Sequence, residues 1–298
     1  MHVSAIICTR NRPDLIGAAV RSVLANTYAS FDLLVIDQSD DDRTGTVVQD
    51  LTHAHSNLRY IHSTTPGLSK AYNTGIRSTT GAILAFTDDD CVAPPDWIES
   101  IVLAFESAQD ADMLYGQVLR PAALEDSIEV LPMLEFSEPR QFSRKDGFKI
   151  YGMGANFAAR RRLFDRVGLF DEVLGGGAPL RSSQDFDLQY RAYRGGATVL
   201  LSPAVKVDHY GVRNDEQWPR TLREYGIGEG AFYLKHVRCG DLLAFRLMLW
   251  RIGGLLIRDF AKVMVGRRFV WYLPFYFEGL RLSRGYAVDR LRRIYRPT

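Results

Sequence analysis

Apolar runs and amphipathic segments alternate along the first ninety residues. Each apolar run has the length and the Val, Ile and Leu content of a buried strand, and the runs are residues 3–8, 33–36, 58–61 and 82–86. Between the first two runs, Leu15, Ala19 and Val23 recur at helical spacing after Pro13, which suits a helix start. This alternation predicts an α/β fold with a mostly parallel, Rossmann-like sheet and helices on both faces.

Polar residues directly follow three of these predicted strands. Thr9 and Asp37 follow the first and second, and Asp88, Asp89 and Asp90 follow the fourth. Ligands of open α/β sheets bind at the carboxyl ends of the strands, so these side chains are expected at one edge. Three adjacent carboxylates repel one another unless a cation or solvent relieves the repulsion. The triplet indicates either a Mg²⁺ or Mn²⁺ site shared with substrate phosphates, or a solvated acidic turn that caps the next helix.

The second half of the chain is less regular. Residues 98–105 predict a helix, and a Ser-Ser-Gln-Asp sequence at 182–185 predicts the start of another that ends before Gly195. Residues 198–201 predict a strand.

A change of character follows at about residue 215, where the predicted helices become rich in Arg, Trp, Tyr and Phe. The most apolar stretch, residues 242–257, contains Arg246 and Arg251 and is too short and too charged for a membrane-spanning helix. Arg251, Arg258 and Lys262 fall on one helical side, with Leu and Ile opposite. This pattern predicts either a helix lying in a membrane interface or a packed terminal helix whose arginines face water.

The net charge of +2 hides a strong asymmetry. From Lys235 onward there are fourteen Lys and Arg against four acidic residues, an excess of ten positive charges, so the preceding residues carry a net charge of −8. An acidic body with a basic, aromatic tail indicates metal or substrate chemistry in one part and an anionic surface as the partner of the other. The three cysteines (Cys8, Cys91 and Cys239) form no metal-binding spacing and no disulfide framework, which favours a reducing compartment. No signal peptide is evident at the amino end.

The chain resembles a family-2 glycosyltransferase of the GT-A fold over about residues 3–212. Several blocks carry the resemblance in the expected order: residues 6–12 (IICTRNR), 35–39 (VIDQS), 67–75 (GLSKAYNTG), 86–90 (FTDDD), 154–158 (GANFA) with 168–172 (GLFDE), and 184–188 (QDFDL). The resemblance implies a GT-A domain over residues 1–214, with a donor half of about 1–115 and an acceptor half of about 116–214. It also implies an inverting transfer from a nucleotide-diphosphate sugar. Residues 215–298 then form a basic, aromatic helical extension.

The resemblance assigns donor-binding roles in the first half. Asp37 matches the aspartate that hydrogen-bonds the nucleobase, and Thr9 lies beside that base. Arg10 and Asn73 stand in the same matching blocks and are expected to contact the nucleotide sugar. Lys70 either reaches the diphosphate or lies on an exposed helix face.

The aspartate triplet matches the DxD element of this family. By that match Asp88 and Asp89 contribute to nucleotide-sugar binding, and Asp90 binds a Mn²⁺ or Mg²⁺ ion on the diphosphate. Because all three residues are aspartate, Asp89 is an alternative main ligand. His209 resembles a histidine that completes the metal site in a number of GT-A enzymes, and a structural role is its alternative.

Acceptor and catalytic roles fall in the second half. Asp185 matches the general base, although Gln184 stands where the family usually has glutamate, which puts an acceptor contact in doubt. The alternative for Asp185 is a capping-box acid three residues after Ser182. Asn156 and Trp97 are further expected acceptor-side residues, with core packing as the alternative for Trp97.

The expected partners are a nucleotide-diphosphate sugar, a glycan or lipid-linked acceptor and an anionic membrane surface on the cytoplasmic side, where the protein would bind peripherally. A homodimer through the C-terminal helices is a further expectation, whereas no nucleic-acid recognition module is visible. Two alternatives stay open. A sugar-phosphate nucleotidyltransferase would need a glycine-rich turn after the first strand, which residues 9–13 lack. A non-catalytic carbohydrate-binding protein would have less reason to carry both the triplet and Asp185.

Overall fold

The structure is a computed structural model that describes residues 1–125, 130–212, 216–264 and 271–296. The chain divides into two compact units. The first contains Met1–Pro66, Lys70–Leu169 and Gln189–Val212, and the second contains Gly67–Ser69, Phe170–Leu188 and the described residues after 212.

The first unit contains a single large sheet. Its strands are β1 (Val3–Thr9), β2 (Phe31–Asp37), β3 (Leu58–His62), β4 (Ile83–Asp88), β5 (Cys91–Val92), β6 (Ala111–Leu119), β7 (Arg140–Phe142), β8 (Asn156–Arg160) and β9 (Thr198–His209). The helices that alternate with them are α1 (Pro13–Leu24), α2 (Arg43–Thr52), α3 (Leu68–Arg77), α4 (Trp97–Ser107), α5 (Arg161–Val167) and α6 (Gln184–Arg194). Helices α3 and α6 also contribute residues to the second unit.

The strand order is β3-β2-β1-β4-β8-β6-β9-β5, and β7 pairs with β9 outside this order. The pairs within β3-β2-β1-β4 are parallel, as is β6 with β9, whereas β8 runs antiparallel to β4 and β6. Most paired residues of the sheet are therefore in parallel ladders, as the sequence pattern predicted.

Helices cover both faces of the sheet. Because side chains alternate along a strand, Leu33 and Val35 pack on one face with the apolar residues of α1 and α4. Leu34 and Ile36 point to the other face, where they pack with Ala71 of α3. The predicted α/β class is confirmed.

The register of the sheet brings the polar strand ends together. Thr9 lies opposite Asp37 across the β1–β2 pair, and Cys8 lies opposite Asp88 across the β1–β4 pair. The prediction that Thr9, Asp37 and Asp88 lie at one edge is confirmed.

The second unit is mainly helical. Its elements are α7 (Gln217–Arg238), α8 (Leu242–Met264), α9 (Leu273–Ser283) and a short hairpin of β10 (Val288–Asp289) and β11 (Ile294–Tyr295). Helices α7 and α9 approach so closely that a Cβ on Gly230 would overlap the carbonyl oxygen of Tyr276, and a Cβ on Gly279 would overlap that of Ile227. Glycine is needed at both positions because any side chain would separate the helices.

Within this unit, a fully buried ion cluster connects α7 to Asp171, in the segment before α6, and to Asp187 of α6 itself. The Lys235 ammonium lies 2.6 Å from an oxygen of Asp171 and 2.6 Å from an oxygen of Asp187, and His236 Nε2 lies 2.8 Å from the same Asp187 oxygen. The amide of Tyr295 donates to Asp171. These ion pairs connect residues 170–188 with the C-terminal helices, and the compact units group the same residues together. The predicted boundary at 214 lies outside the described residues.

One arginine of helix α8, Arg251, does not have the orientation expected from the sequence. Arg251 donates two hydrogen bonds to the buried Glu229 of α7, and Arg258 lies 3.4 Å from the buried Asp259. Neither predicted orientation of the arginines, toward headgroups or toward water, describes Arg251, because a buried carboxylate requires a partner. The side chain of Lys262 lies outside the described part. Among the described helices, none combines the length and the apolar composition needed to cross a bilayer.

Candidate functional site

A tight turn at the end of β4 builds the centre of the site. Asp89 and Asp90 form this turn, and β5 then pairs with the end of β9 so that Cys91 lies opposite His209. As a result, Nε2 of His209 lies 3.3 Å from Oδ1 of Asp90. The side chains of Asp90 and His209 are almost fully buried, at 3% and 6% exposure.

The first strand and its turn supply hydrogen-bond donors to the triplet. The Thr9 hydroxyl donates to Oδ2 of Asp89 at 2.7 Å. Arg12 Nη1 donates to Oδ1 of Asp89 at 2.6 Å and to Oδ2 of Asp90 at 2.8 Å. The sequence prediction did not include Arg12. The signal that could have found it is its position two residues after Arg10, in the same turn at the end of β1.

The charges of the neighbouring carboxylates contribute to the raised pKa values of Asp88 and Asp89. Burial, with the charges of Asp90 and Asp89 added, raises the pKa of Asp88 to about 7. Burial also raises the pKa of Asp89, against the opposing effect of Arg12. Tyr72 of α3 donates a long hydrogen bond of 3.4 Å to Asp88. A cation bound beside the triplet would relieve the repulsion among its carboxylates.

Asp90 and His209 suit a hard divalent cation. Ligand atoms of Asp90, Cys91 and His209 all lie within 4.8 Å of one another. The His209 Nδ1 lies 3.0 Å from the carbonyl oxygen of Pro132, which can only accept a hydrogen bond, so Nδ1 carries the proton and Nε2 is directed at Asp90. Burial lowers the pKa of His209, but the hydrogen bond and charge of Asp90 raise it by more. Burial and the charges of Asp88 and Asp90 raise the pKa of the Cys91 thiol, which makes the protonated thiol a poor ligand.

Gly211 leaves the facing atoms of the two preferred ligands uncovered by any side chain of its own. A Cβ built on Gly211 would lie 2.5 Å from both Oδ2 of Asp90 and Nε2 of His209. This position is therefore bounded by an oxygen and a nitrogen and is kept open by the absence of a side chain. The donor set and the gap fit Mn²⁺ or Mg²⁺.

Asp37 lies at the end of the neighbouring strand and is fully buried. It accepts hydrogen bonds from the Ser39 amide at 2.8 Å and from the Tyr60 hydroxyl at 2.9 Å. An open pocket of about 450 Å³ adjoins it, and its lining includes Ser39, Asp40, Gly45, Tyr60 and His62.

Arg10 and the α3 residues lie around this edge. Arg10 pairs with the exposed Asp40 at 3.1 Å. Asn73 is buried on α3, and Lys70 is half-buried one turn earlier.

Trp97 and Asn156 lie in the core and not at a surface. Both are fully buried, and the Trp97 indole donates to the Asn156 side-chain oxygen at 3.0 Å. The Asn156 amide nitrogen donates to the Gln117 carbonyl at 2.8 Å. Core packing, the alternative for Trp97, describes its position, and an acceptor contact of either residue stays a prediction.

Asp185 lies in the second unit at the start of α6. The Ser183 carbonyl accepts from the Asp187 amide at 3.0 Å, so Ser183 caps the helix and Asp185 is its second residue. A capping box would need Ser182 as the cap, but the Ser182 hydroxyl donates to the carbonyl of Glu224 at 3.0 Å. The capping-box alternative therefore does not describe Asp185.

The backbone before α6 is strained. Arg181 and Ser183 have φ values of 71° and 69°, which are left-handed and costly for residues other than glycine. Gln184 and Asp185 follow immediately, and both are half-buried. The buried Lys235 cluster fixes both flanks of this segment, through Asp171 before it and Asp187 after it.

The model of the family described as "Glycosyl transferase family 2" matches residues 4–168. The chain belongs to glycosyl transferase family 2. This family match covers the aspartate triplet and, apart from Val3, the parallel strands β3, β2, β1 and β4, whereas β9 lies outside it.

Relatives and solved structures agree with the family. The chain is 26% identical over 228 residues to the glucosyl-dolichyl phosphate glucuronosyltransferase of Haloferax volcanii, covering 73% of this chain and 72% of that protein. Two other curated relatives match over smaller shares: 27% identity over 67% of this chain and 58% of EpsJ of Bacillus subtilis, and 34% identity over 39% of this chain and 39% of AglE of Haloferax volcanii.

Two solved glycosyltransferases share the fold. S. aureus TarS (residues 1–349), in complex with UDP-GlcNAc, superposes with a TM-score of 0.61 at 18% identity, over 78% of this chain and 67% of that one. The mannosyltransferase PcManGT from Pyrobaculum calidifontis, in complex with GDP-Man and Mn²⁺, superposes with a TM-score of 0.60 at 18% identity, over 95% of this chain and 75% of that one. At this identity the likeness establishes the GT-A fold of this family-2 glycosyltransferase.

Proposed function

We propose that this glycosyltransferase moves a hexose-type sugar from a nucleotide-diphosphate sugar to a hydroxyl group of a glycan or lipid-linked acceptor, with inversion at the anomeric carbon. The observation that carries the proposal is the cluster of Asp89, Asp90 and His209 at the strand edge that also holds Asp37. Such an edge is where α/β sheets bind nucleotides.

Donor binding is divided between the two strand ends. Asp37, which accepts from Ser39 and Tyr60, is assigned to the nucleobase, and Thr9 lies opposite it across the β1–β2 pair. Asp88 and Asp89 are assigned to the ribose and the diphosphate side, with Arg10, Lys70 and Asn73 as the remaining donor contacts. This assignment is supported by the nucleotide-sugar complexes of the two solved relatives.

Asp90 and His209 would hold a Mn²⁺ or Mg²⁺ ion. When bound, such an ion neutralises the charge that develops on the leaving diphosphate. Support comes from the oxygen and nitrogen donors around the open position at Gly211, and from the Mn²⁺ in the PcManGT complex.

Asp185 is assigned as the general base that takes the proton of the acceptor hydroxyl. Its half-buried place at the first turn of α6, outside a capping box, supports this role. Gln184 is assigned to the acceptor, where a neutral amide both donates and accepts hydrogen bonds.

A thermal-shift panel of UDP, GDP and dTDP, each with and without Mn²⁺, tests donor binding. A nucleotide present at 100 times its Kd adds about 2.7 kcal/mol of stability, so the true ligand raises the melting temperature. Asp90→Asn is expected to remove the dependence on Mn²⁺, and Asp50→Asn, an exposed aspartate of α2, is the matched control. The absence of any nucleotide response in the parent protein would contradict the proposal.

Release of nucleoside diphosphate in the presence of a sugar acceptor tests the reaction itself. Formation of a nucleotide sugar from a nucleoside triphosphate and a sugar phosphate would instead identify a nucleotidyltransferase. Binding of nucleotide sugar without release under any acceptor would identify a non-catalytic binding protein.

A lipid-linked acceptor at the cytoplasmic face of a membrane is the finer part of the proposal. It is supported by the name of the Haloferax volcanii relative, a glucosyl-dolichyl phosphate glucuronosyltransferase, and by an exposed apolar face on α8. Trp250 and Ile257 are 78% and 73% exposed on this face. Its other large members, each at least 40% exposed, are Leu242, Phe245, Leu249, Leu256 and Phe260.

Charge favours an anionic membrane as the occupant of this apolar face of α8. Exposed arginines lie on and after the helix, among them Arg246, Arg281 and Arg284. Each basic side chain near an anionic leaflet contributes about 1 kcal/mol, and exposed Trp and Ile side chains add an apolar contribution. Co-flotation with vesicles that contain phosphatidylserine, and loss of flotation in high salt, are the expected results. No flotation at low salt would contradict membrane binding and leave a second copy of the chain as the occupant.

A further inference from the structure

Arg12 forms two short contacts with the acidic triplet that no sequence pattern assigned. Its guanidinium lies 2.6 Å from Asp89 and 2.8 Å from Asp90, whose side chains are only 7% and 3% exposed. We propose that Arg12 is a built-in counter-cation that holds Asp90 in the metal-free protein and yields it when a divalent ion binds. The inference rests on the metal site of the proposed function.

The contact with Asp90 is made through the oxygen that borders the open position. Arg12 Nη1 donates to Oδ2 of Asp90, and this same Oδ2 lies 2.5 Å from the position that a Cβ of Gly211 would take. A divalent ion held between Oδ2 of Asp90 and Nε2 of His209 would share that oxygen with the guanidinium. Because two cations on one oxygen repel each other strongly in a buried site, the ion and the Arg12–Asp90 hydrogen bond compete.

The two contacts of Arg12 also explain how the triplet tolerates burial. Buried carboxylates without a partner destabilise a fold, and Arg12 is the cationic side chain placed between Asp89 and Asp90. Both hydrogen bonds come from Nη1 of Arg12, whose two N–H groups let one nitrogen bridge the two carboxylates.

Arg12 is placed so that it can release one carboxylate and keep the other. Its side chain is 37% exposed and extends from the turn just before α1. Loss of the Asp90 contact leaves the Asp89 contact intact, so the guanidinium stays beside the site and the turn keeps its attachment. The predicted movement is therefore local to one side chain.

Binding of Mn²⁺ to the full chain without nucleotide tests the inference, with free Mn²⁺ measured by electron paramagnetic resonance. Arg12→Met removes the competing charge at similar length and is expected to tighten Mn²⁺ binding by at least about tenfold. Arg12→Lys keeps the charge and is expected to stay close to the parent. Arg10→Met is the matched control, because it removes the same charge from the same turn but from a residue paired with the exposed Asp40, and its Mn²⁺ affinity should stay close to the parent.

Thermal stability gives a second readout that a merely structural arginine would not produce. In chelator, Arg12→Met should melt below the parent because two buried carboxylates lose their partner, and Mn²⁺ should raise its melting temperature by more than it raises that of the parent. If this variant folds only with Mn²⁺ present, that dependence is itself the expected result.

Two outcomes would overturn the inference, and they separate it from the proposed function. Equal or weaker Mn²⁺ binding by Arg12→Met, with normal binding by the parent, rejects the role of Arg12 and leaves the metal site standing. Failure of the parent and of every variant to bind Mn²⁺ rejects both the metal site and the counter-cation. Equal tightening in Arg10→Met and Arg12→Met would show a general charge effect and would also reject the specific role.

Discussion

Asp185 is the residue on which the proposed chemistry depends most directly. The Asp185→Asn variant keeps the size of the side chain and removes the proton acceptor. Because general-base catalysis typically contributes about 10²- to 10⁴-fold, turnover should fall by that range while the Mn²⁺-dependent thermal shift with nucleotide is kept. Nucleoside diphosphate release and thermal shift, measured on the same preparation, check both parts. Loss of nucleotide binding with unchanged turnover per bound donor would identify a structural residue.

His236 links the buried ion cluster to pH. Burial lowers the pKa of His236 to about 4, although its hydrogen bond to Asp187 opposes this shift. The unfolded chain therefore takes up a proton near pH 6.5, whereas the folded protein does so only near pH 4. Stability from this residue is complete above pH 6.5 and is lost as the pH falls to 4, by about 3 kcal/mol in total.

Urea unfolding of the parent and of His236→Gln between pH 4 and 8 measures this effect. The comparison concerns the slope with pH and not the absolute stability, because the substitution itself changes packing. The variant is expected to lose less stability than the parent between pH 6.5 and 4. Parallel curves for the two proteins would show that His236 does not titrate in this way.

The residue-scale predictions from sequence succeeded where the chemistry is carried by strand ends. Thr9, Asp37 and the triplet follow apolar runs, and the sheet register places them at one edge. Arg12 was missed because its partners are 77 and 78 residues away along the chain. For Trp97 the sequence left core packing and the acceptor side open, because an aromatic residue has the same local pattern in a core and at a sugar site; its side chain is buried.

At the scale of elements, local pattern was sufficient for the regular part of the chain. A helix was predicted over residues 98–105, and α4 is observed at Trp97–Ser107. No strand was predicted at β7, because β7 has only three residues and depends on its pairing with β9. Strand β9 extends to His209, well beyond the predicted residues 198–201, since its later residues pair with β6 and β5.

The amphipathic pattern of α8 was recognised, but its orientation was not. A helical stripe of arginines ordinarily faces solvent, whereas here Arg251 turns to the buried Glu229, which also accepts from the Tyr272 hydroxyl at 2.8 Å. The exposed face is consequently apolar. Helical periodicity distinguishes the two sides of a helix. It does not tell which side packs against the protein when the surface it packs on holds a buried acid.

Lys235 is expected to be the most sensitive position of helix α7. Its ammonium is fully buried between Asp171 and Asp187. Lys235→Met keeps much of the apolar volume but leaves two buried carboxylates without their cation, which should destabilise the protein by about 3–5 kcal/mol. Lys145→Met, at an exposed lysine, is the control and should change stability by less than about 0.5 kcal/mol. Urea unfolding checks both, and a loss below 1 kcal/mol in Lys235→Met would show that the cluster contributes little.

At the scale of the whole molecule, charge and compact units do not follow the same boundary. The acidic part of the sequence ends before Lys235, yet Asp171 and Asp187 from that part are enclosed with the basic helices in the second unit. Sequence composition located the basic tail, but it could not show that some of the basic side chains form ion pairs with buried acidic residues. Lys235, Arg251 and Arg293 each pair with a buried acid. The remaining exposed arginines are the ones available to an anionic surface.

Membrane binding through α8 leads to a prediction that separates it from general basic attraction. Trp250 and Ile257 are exposed, so exchange of both for glutamate should leave the fold and its melting temperature intact. If their side chains enter the leaflet, each contributes about 1.5–3 kcal/mol, and the double variant should float with phosphatidylserine vesicles on the order of 10²-fold less than the parent. Leu103→Glu, at a residue of α4 that is 56% exposed, is the matched control and should float like the parent. Equal losses in the control and the double variant would indicate a charge effect alone. A parent dimer that the double variant converts to monomer, with flotation unchanged, would show that this face of α8 binds a second copy and not a membrane.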